Sequence, residues 1–224
     1  MLTEYTVTVD SQEEEILQRL QDLQQRLAAG PLAASETIVG GLEALVSQLH
    51  LYNPLLSLRG WKSEQVQVQP VPLNKGEEEF INDLRKCHER TPKFFADKEV
   101  YLLRNISRRG VGFFDANNFY PDFILWLVIG AKQYVLFIDP KGLRQVQGFT
   151  DPKVALYRKL RDEIEPTLGD ANLRLTSFIV SDTPHYDLRH WSGQAGVADF
   201  AQQHVYLREG QSDYVLPMLE AALH

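Results

Sequence analysis

The sequence contains a single cysteine, Cys87, and no apolar run long enough to span a bilayer. One cysteine excludes a disulfide framework and is typical of a reducing compartment. The most apolar run, Phe123 to Ile129, is far shorter than the roughly 20 residues of a membrane-spanning helix and is typical of a buried strand. The first residues also lack the basic and apolar regions of a secretory signal. We therefore expect a cytoplasmic protein without membrane association.

A net positive charge is lacking as well, because the chain of 224 residues has a formal net charge of −7. The acidity is local: residues 1–79 hold 12 of the 30 acidic and 5 of the 23 basic residues, which leaves 18 of each sign in residues 80–224. Phosphate binding requires local positive potential and not a basic average. Basic residues cluster at Arg104, Arg108 and Arg109, and again at Lys141, Arg144, Lys153, Arg158, Lys159 and Arg161. On charge alone, a solvated surface is the commoner explanation.

Residues 1–60 show two apolar stripes at helical spacing. The first is formed by Ile16, Leu20, Leu23 and Leu27 and ends at Gly30 and Pro31. The second is formed by Ile38, Leu42, Leu45, Val46 and Leu49. We predict a helical hairpin that is too short for an autonomous coiled coil and serves as a docking or accessory segment. Residues 61–75 alternate valine and glutamine but contain prolines, which predicts a linker or an edge strand.

Residues 76–224 are predicted to form the principal domain. A helix is expected over residues 76–90, followed by strands over 99–106, 120–129 and 133–138, with a turn centred on Gly130. A second helix over 153–164 is predicted to end at Pro166. A strand over 173–181, a short strand near 204–207 and a helix over 212–223 complete the chain. This order describes an α/β sandwich on a mixed sheet.

Three residues at the ends of neighbouring strands carry the candidate chemistry. Asp122 begins one predicted strand, while Asp139 and Lys141 end the next. Residues two apart on an extended strand point to the same face, so Asp139 and Lys141 aim at one site. Converging carboxylates are costly without a cation, and hard oxygen ligands select Mg²⁺ or Mn²⁺. Each piece alone is also explained by turn chemistry.

The joint pattern is more specific. A glutamate-led helix, Pro-Asp entering an apolar strand and an apolar strand ending in Asp-x-Lys together resemble the PD-(D/E)XK nuclease superfamily. The resemblance is greatest to the C-terminal endonuclease domain of type III restriction enzymes and related DEAD-like helicases, and it covers residues 76–182. It implies a restriction-endonuclease-like αβββαβ core, with a mixed sheet sandwiched by helices. Two departures are the aspartate at 139, where these relatives usually have glutamate, and Pro140 before the lysine.

The resemblance also implies roles for individual residues. Asp122 and Asp139 match the two acidic metal ligands, Lys141 matches the catalytic lysine, and the Pro140 carbonyl would be a further ligand. The metal would be Mg²⁺, with Mn²⁺ as a substitute. The family's helix glutamate could be Glu77, Glu78 or Glu79, and we choose Glu77 because it shares a helix face with apolar neighbours.

Nucleic-acid contacts are expected from basic residues around this core. Lys153, at the start of the following helix, is the first choice, and Arg144, Arg108 and Arg109 are the others. The aromatic residues Phe113, Phe114, Phe119 and Tyr120 could stack on bases, although core packing is the commoner outcome. His88, His185, His190 and His204 lack the spacing of metal ligands and are expected to be structural or surface residues.

The sequence therefore predicts a Mg²⁺-dependent endonuclease domain that hydrolyses DNA phosphodiester bonds in a restriction or phage-defence system. No Walker motif is present, so a helicase partner, or a helicase portion of the same polypeptide, would supply translocation. Dimerisation would help double-strand cleavage. One alternative is a catalytically inactive nuclease-fold module that binds nucleic acid or partner proteins. Another is an unrelated α/β protein with an accidental motif, which predicts that Asp122, Asp139 and Lys141 lie far apart.

Overall fold

The computed structural model describes residues 5–10, 12–30, 32, 35–39, 42–45, 50–51, 55–58, 66–69, 71–105, 110–113, 116, 118–141, 143, 146–208 and 213–224. The chain divides into two units, residues 1–78 and residues 79–224. Among the described residues, no helix combines the length and the apolar character needed to cross a bilayer.

The first unit combines one long helix with two small antiparallel sheets. Strand β1 (Thr6–Val9) pairs with β6 (Val66–Gln69), and helix α1 (Glu14–Ala29) follows β1. Strands β2 (Glu36–Val39), β3 (Leu42–Leu45) and β5 (Leu55–Leu58) form a sheet in the order β2-β3-β5. Strand β4 (His50–Leu51) has two residues. The core of this unit is formed by Ile16, Leu23, Leu32, Leu42, Ala44, Leu56, Val66 and Val68.

The first helix of the predicted hairpin is confirmed as α1, but the second helix was wrong. The first part of the predicted second helix forms strands β2 and β3 instead. Strand β3 buries both Leu42 and Ala44, which are two residues apart. Gly40 and Gly41 separate these runs, and two consecutive glycines disfavour a continuous helix. Isoleucine and valine in β2 also favour strands because they are β-branched. Val46 and Leu49 lie outside the described residues.

The second unit is built on a mixed five-stranded sheet. Its strands are β7 (Glu99–Arg104), β8 (Phe123–Ile129), β9 (Lys132–Pro140), β10 (Leu173–Ser181) and β11 (Val205–Leu207). Strands β7, β8 and β9 are antiparallel neighbours, whereas β10 runs parallel to both β9 and β11. Gly130 has a φ of +58° in the turn between β8 and β9, as a tight turn between adjacent strands requires. The α/β class with a mixed sheet is thus confirmed.

Helices pack on both faces of this sheet. Helix α2 (Lys75–Arg90) contains the boundary between the units in its first turn, and its Phe80 ring lies 5.4 Å from that of Phe123 on β8. On the opposite face, Ile124 and Phe137 pack against Leu156 and Leu160. The remaining helices are α3 (Pro92–Phe95), α6 (Arg189–Ser192), α7 (Val197–Gln202) and α8 (Val215–Ala221), and a 3₁₀ turn covers His185–Leu188.

The helix predicted over residues 153–164 continues past its predicted end. Helix α4 (Leu156–Lys159) passes through a π-helical turn, Leu160–Ile164, into α5 (Glu165–Leu168). Pro166 lies in the first turn of α5, and the wider π-turn before it accommodates a residue that has no N–H to donate. The helix ends instead at Gly169, whose φ of +64° is the left-handed conformation of a common helix terminus.

Candidate active site at the end of strand β9

The pairing of β8 with β9 brings two aspartates to neighbouring positions. Phe123 lies opposite Ile138, and Ile124 lies opposite Phe137. Extending this register by one residue places Asp122 opposite Asp139. Directly opposed residues of an antiparallel pair have Cβ atoms about 4.5–5.5 Å apart. Both carboxylates therefore project from the sheet face that carries Phe137.

Lys141 shares that face because the chain stays extended through Pro140. Pro140 pairs with Val180 of β10, and the Lys141 amide donates a 2.8 Å hydrogen bond to the Val180 carbonyl oxygen. The Lys141 ammonium directly contacts Oδ2 of Asp139, whose side chain is almost fully buried. The Asp-Pro-Lys segment is thus a strand end and not a tight turn. The structure brings Asp122, Asp139 and Lys141 together, in contrast to the accidental-motif alternative.

Burial sets the electrostatics of this site. Burial raises the pKa of Asp122, and the charges of Lys141 and Arg104 only partly oppose this. Burial also lowers the pKa of Lys141 to about 8; the positive charge of Lys153 adds to the decrease, and Asp122 and Asp151 oppose it. Such mutually perturbed groups are typical of functional sites, where a side chain must change protonation state near neutral pH.

Lys141 and Lys153 both lie over the same aromatic ring, that of Phe119. The Lys141 Nζ is 4.7 Å, and the Lys153 Nζ 6.0 Å, from the ring centroid of Phe119. The Lys153 amide donates a 2.9 Å hydrogen bond to Oδ1 of Asp151, which fixes the backbone ahead of α4. Phe119 is only 4% exposed, so core packing, and not base stacking, describes its position. Lys153 is therefore the predicted nucleic-acid contact that the structure places at the site.

Asn105 is a positioning residue that the sequence analysis missed. It follows β7 and is buried. Its Nδ2 donates hydrogen bonds to the carbonyl oxygens of Val111 and Pro121 at 2.7 and 2.8 Å, and its Oδ1 accepts one from the Val111 amide at 2.9 Å. Its backbone amide donates to the Asp122 carbonyl oxygen at 2.7 Å. The predicted strand over 99–106 included this residue, whereas β7 ends at Arg104.

The chain approaches Asp122 through a close aromatic contact. Gly112 lies directly against the Tyr120 ring, since the Cβ of any other residue at this position would clash with the ring. Only glycine permits this approach without displacement of the ring. The predicted aromatic stretch therefore shapes the backbone before the site. Phe114 lies outside the described residues.

The three helix glutamates have different local partners. In the first unit, Asn74 and Glu77 form a reciprocal capping box, with hydrogen bonds of 2.7 and 3.0 Å between each side chain and the other's amide. Glu78 is buried and accepts a 2.5 Å hydrogen bond from the Ser57 hydroxyl. In the second unit, Glu79 forms an ion pair with Arg208 at 2.9 Å. The Glu77 carboxylate thus stabilises the start of α2, and its role as a metal ligand stays a prediction.

Asp122 and Asp139 are the described residues that could hold a metal ion at this site. Among the described residues, no group of three or more histidine, cysteine, aspartate or glutamate side chains could hold one. Mg²⁺ keeps several waters and is often bound by one or two carboxylates plus substrate phosphate. Two carboxylates on one face, beside Pro140, fit that donor set. The other predicted nucleic-acid contacts, Arg108, Arg109 and Arg144, lie outside the described residues.

Comparison with known proteins adds no relative. No protein-family model, curated protein or solved structure matches the chain. Membership of the PD-(D/E)XK superfamily stays a prediction.

Proposed function

We propose that the chain is a metal-dependent endonuclease domain that hydrolyses DNA phosphodiester bonds, with a restriction-endonuclease-like αβββαβ core. The observation that supports this most strongly is the meeting of two carboxylates and one lysine at the end of the β8–β9 pair. The element order around it also fits, because α2 precedes three antiparallel strands and α4 precedes a strand parallel to β9.

Each residue of the site has a chemical task in this proposal. Asp122 and Asp139 would hold Mg²⁺ or Mn²⁺, and the bound metal would polarise the scissile phosphate and lower the pKa of the attacking water. Lys141 orients or deprotonates that water, or neutralises negative charge that develops on the phosphate. Burial lowers the pKa of Lys141 to about 8, so more of this lysine is neutral near physiological pH than of an exposed lysine. Lys153 binds an oxygen of the phosphate beside Lys141.

The biological setting belongs to the same proposal. A domain of this kind acts in a cytoplasmic restriction or phage-defence system, where a helicase partner or helicase region moves along DNA. The first unit, with its acidic sequence, is suited to protein contacts more than to DNA contacts.

A second candidate is a nuclease-fold module that binds nucleic acid or partner proteins without cleavage. The direct contact between the Lys141 ammonium and Asp139 favours it, since the lysine already neutralises one carboxylate. The two candidates differ in whether Asp122 and Asp139 bind a divalent cation.

Plasmid cleavage tests the proposal. Supercoiled DNA is incubated with the full chain and Mg²⁺ or Mn²⁺, with and without a candidate helicase partner, and nicked and linear products are separated on a gel. Cleavage is expected in the wild type and in Lys132→Met, an exposed lysine at the other end of β9, and is expected to be lost in Asp139→Asn and Lys141→Met. DNA binding without cleavage under every condition would favour the second candidate.

A further inference from the structure

Two ammonium groups share one aromatic ring at the site. The Nζ atoms of Lys141 and Lys153 lie 4.7 and 6.0 Å from the centroid of Phe119. Two positive charges close to one centre repel each other. The negative face of an aromatic ring attracts cations, most strongly where water is excluded. The Phe119 ring therefore opposes the separation of the two lysines.

The Phe119 ring is fixed with respect to strand β9. Phe113 and Phe119 form an antiparallel bridge with amide-to-carbonyl hydrogen bonds of 2.7 and 3.0 Å, and Asn118 before it has a φ of 54°. The Phe113 ring then packs edge-on against Phe137 at 4.9 Å, two residues before Asp139. Phe119 itself belongs to the core cluster that contains Leu156 of α4.

We propose that Phe119 is a positioning residue that holds Lys141 and Lys153 as a pair, so that two ammonium groups bind one DNA phosphate beside Asp122 and Asp139. This inference rests on the proposed nuclease function and deepens it. The paired ammonium groups match a phosphate because its two non-bridging oxygens share the negative charge. Without the ring, repulsion moves Lys153 towards solvent, and the site keeps one cation where it had two.

The choice of substitution separates the charge effect of the ring from its packing. Leucine at position 119 fills much of the buried volume but has no quadrupole, whereas tyrosine keeps the aromatic face. Phe95→Leu is the matched control, because Phe95 is 6% exposed against 4% for Phe119, and its ring contacts Phe94 and His88. A loss common to both leucine variants reports packing alone.

The first readout does not depend on cleavage. In full chain labelled with ¹³C at the lysine Cε, the methylene resonances of Lys141 and Lys153 are expected to be shifted upfield by the Phe119 ring current. Lys141→Arg and Lys153→Arg assign them. Both upfield shifts should disappear in Phe119→Leu and remain in Phe119→Tyr and Phe95→Leu. Shifts that Phe119→Leu leaves in place would overturn the proposal.

The second readout is metal-dependent cleavage of a short DNA duplex under single-turnover conditions. Phe119→Leu is expected to lower the rate at saturating protein on the order of tenfold, which corresponds to about 1.4 kcal/mol. Phe119→Tyr should restore most of it. Phe119→Leu should add little to Lys153→Met, because both changes remove the same second cation. The positioning role would be overturned if the double variant lost the product of the two single rate reductions. It would also be overturned if Phe95→Leu lowered the rate as much as Phe119→Leu does.

The two readouts together separate the two levels of inference. A wild type that cleaves, with rates unchanged in Phe119→Leu, overturns the positioning role and leaves the nuclease function in place. A wild type that shows the ring-shifted lysine resonances but never cleaves overturns the nuclease function, and with it the catalytic use of the pair, while the geometry of the lysines stands.

Discussion

The backbone amide of Asn105 donates a 2.7 Å hydrogen bond to the carbonyl oxygen of Asp122, which joins the residue after β7 to the residue before β8. The Asn105 side chain makes three further hydrogen bonds to the backbone of Val111 and Pro121. Through these hydrogen bonds, the buried Asn105 holds together the two ends of the long connection between the paired strands β7 and β8. The position of Asp122 depends on this closure as much as on the strand that follows it.

Replacing Asn105 by alanine is expected to destabilise the protein by about 2–3 kcal/mol, because buried carbonyl and amide groups lose their partners. Cleavage should fall as well, since the backbone at Asp122 is released. The measurement is urea unfolding at constant pH, alongside the cleavage assay. Asn172→Ala, at an exposed position before β10, is the control and should change stability by less than about 0.5 kcal/mol. Equal effects of the two variants would contradict the role of Asn105.

The buried charges of the site predict a non-additive effect on stability. Lys141→Met leaves Asp139, which is 3% exposed, without its ammonium partner and is expected to cost about 3 kcal/mol of unfolding free energy. Adding Asp139→Asn should recover much of this cost, because the unpaired buried charge is then removed. A double-mutant cycle in urea measures the coupling. Additive single effects would show that the contact between the two side chains contributes no stability.

Metal binding through Asp122 and Asp139 predicts stabilisation by divalent cations. Mn²⁺ at about 100 times its Kd should raise the unfolding free energy by about 2.7 kcal/mol through mass action. Asp122→Asn and Asp139→Asn should lose this increase, while Asp170→Asn, an exposed residue between α5 and β10, should keep it. Thermal unfolding with Mn²⁺ and with EDTA measures the difference. The same increase in all variants would locate the cation elsewhere.

The site was predictable where the pattern is local and periodic. The apolar runs of β8 and β9 predict buried strands, and the two-residue spacing of Asp139 and Lys141 predicts a shared face. The register that places Asp122 opposite Asp139 follows from the short turn at Gly130. These steps use neighbours in sequence, so they need no knowledge of distant contacts.

The parts that were missed depend on contacts between distant residues. Asn105 bonds to residues 6 and 16 positions away, and strands β8 and β9 separate Phe119 from Lys153 in the sequence. In the first unit, the apolar pattern of 38–45 fits both a helix stripe and two short strands, and pairing with β5 decides in favour of strands. Short apolar runs are ambiguous by periodicity alone.

His204 predicts how stability depends on pH. Its ring is stacked between those of Tyr157 and Phe178, with centroids 3.9 and 4.6 Å away, and burial lowers its pKa to about 4. The unfolded chain therefore takes up a proton below about pH 6.5 while the folded chain does not. The contribution of neutral His204 is complete above pH 6.5 and is lost as the pH falls towards 4, with a slope of up to about 1.4 kcal/mol per pH unit.

Asparagine at position 204 isolates this effect, because asparagine tolerates the φ of 59° found there and does not titrate. Urea unfolding at pH 7, 6 and 5 should show a smaller loss of stability in His204→Asn than in the wild type, although the variant is less stable at pH 7 without the stacked ring. His224→Asn, at the exposed carboxyl end, should follow the wild type. Parallel pH profiles of all three proteins would contradict a neutral His204.

Arg208 forms an ion pair with the buried carboxylate of Asp83, and loss of this pair should be costly. The Arg208 guanidinium donates to both carboxylate oxygens of Asp83, at 2.5 and 3.4 Å, and the Tyr214 hydroxyl donates to one of them at 3.2 Å. Asp83 is 1% exposed, so Arg208→Met leaves a buried carboxylate and is expected to cost about 3–5 kcal/mol. Arg90→Met is the control, because Arg90 meets Asp213 at the surface and should lose less than about 1 kcal/mol. Urea unfolding compares the two, and recovery of stability when Asp83→Asn is added to Arg208→Met would show that the buried charge, and not lost packing, causes the effect.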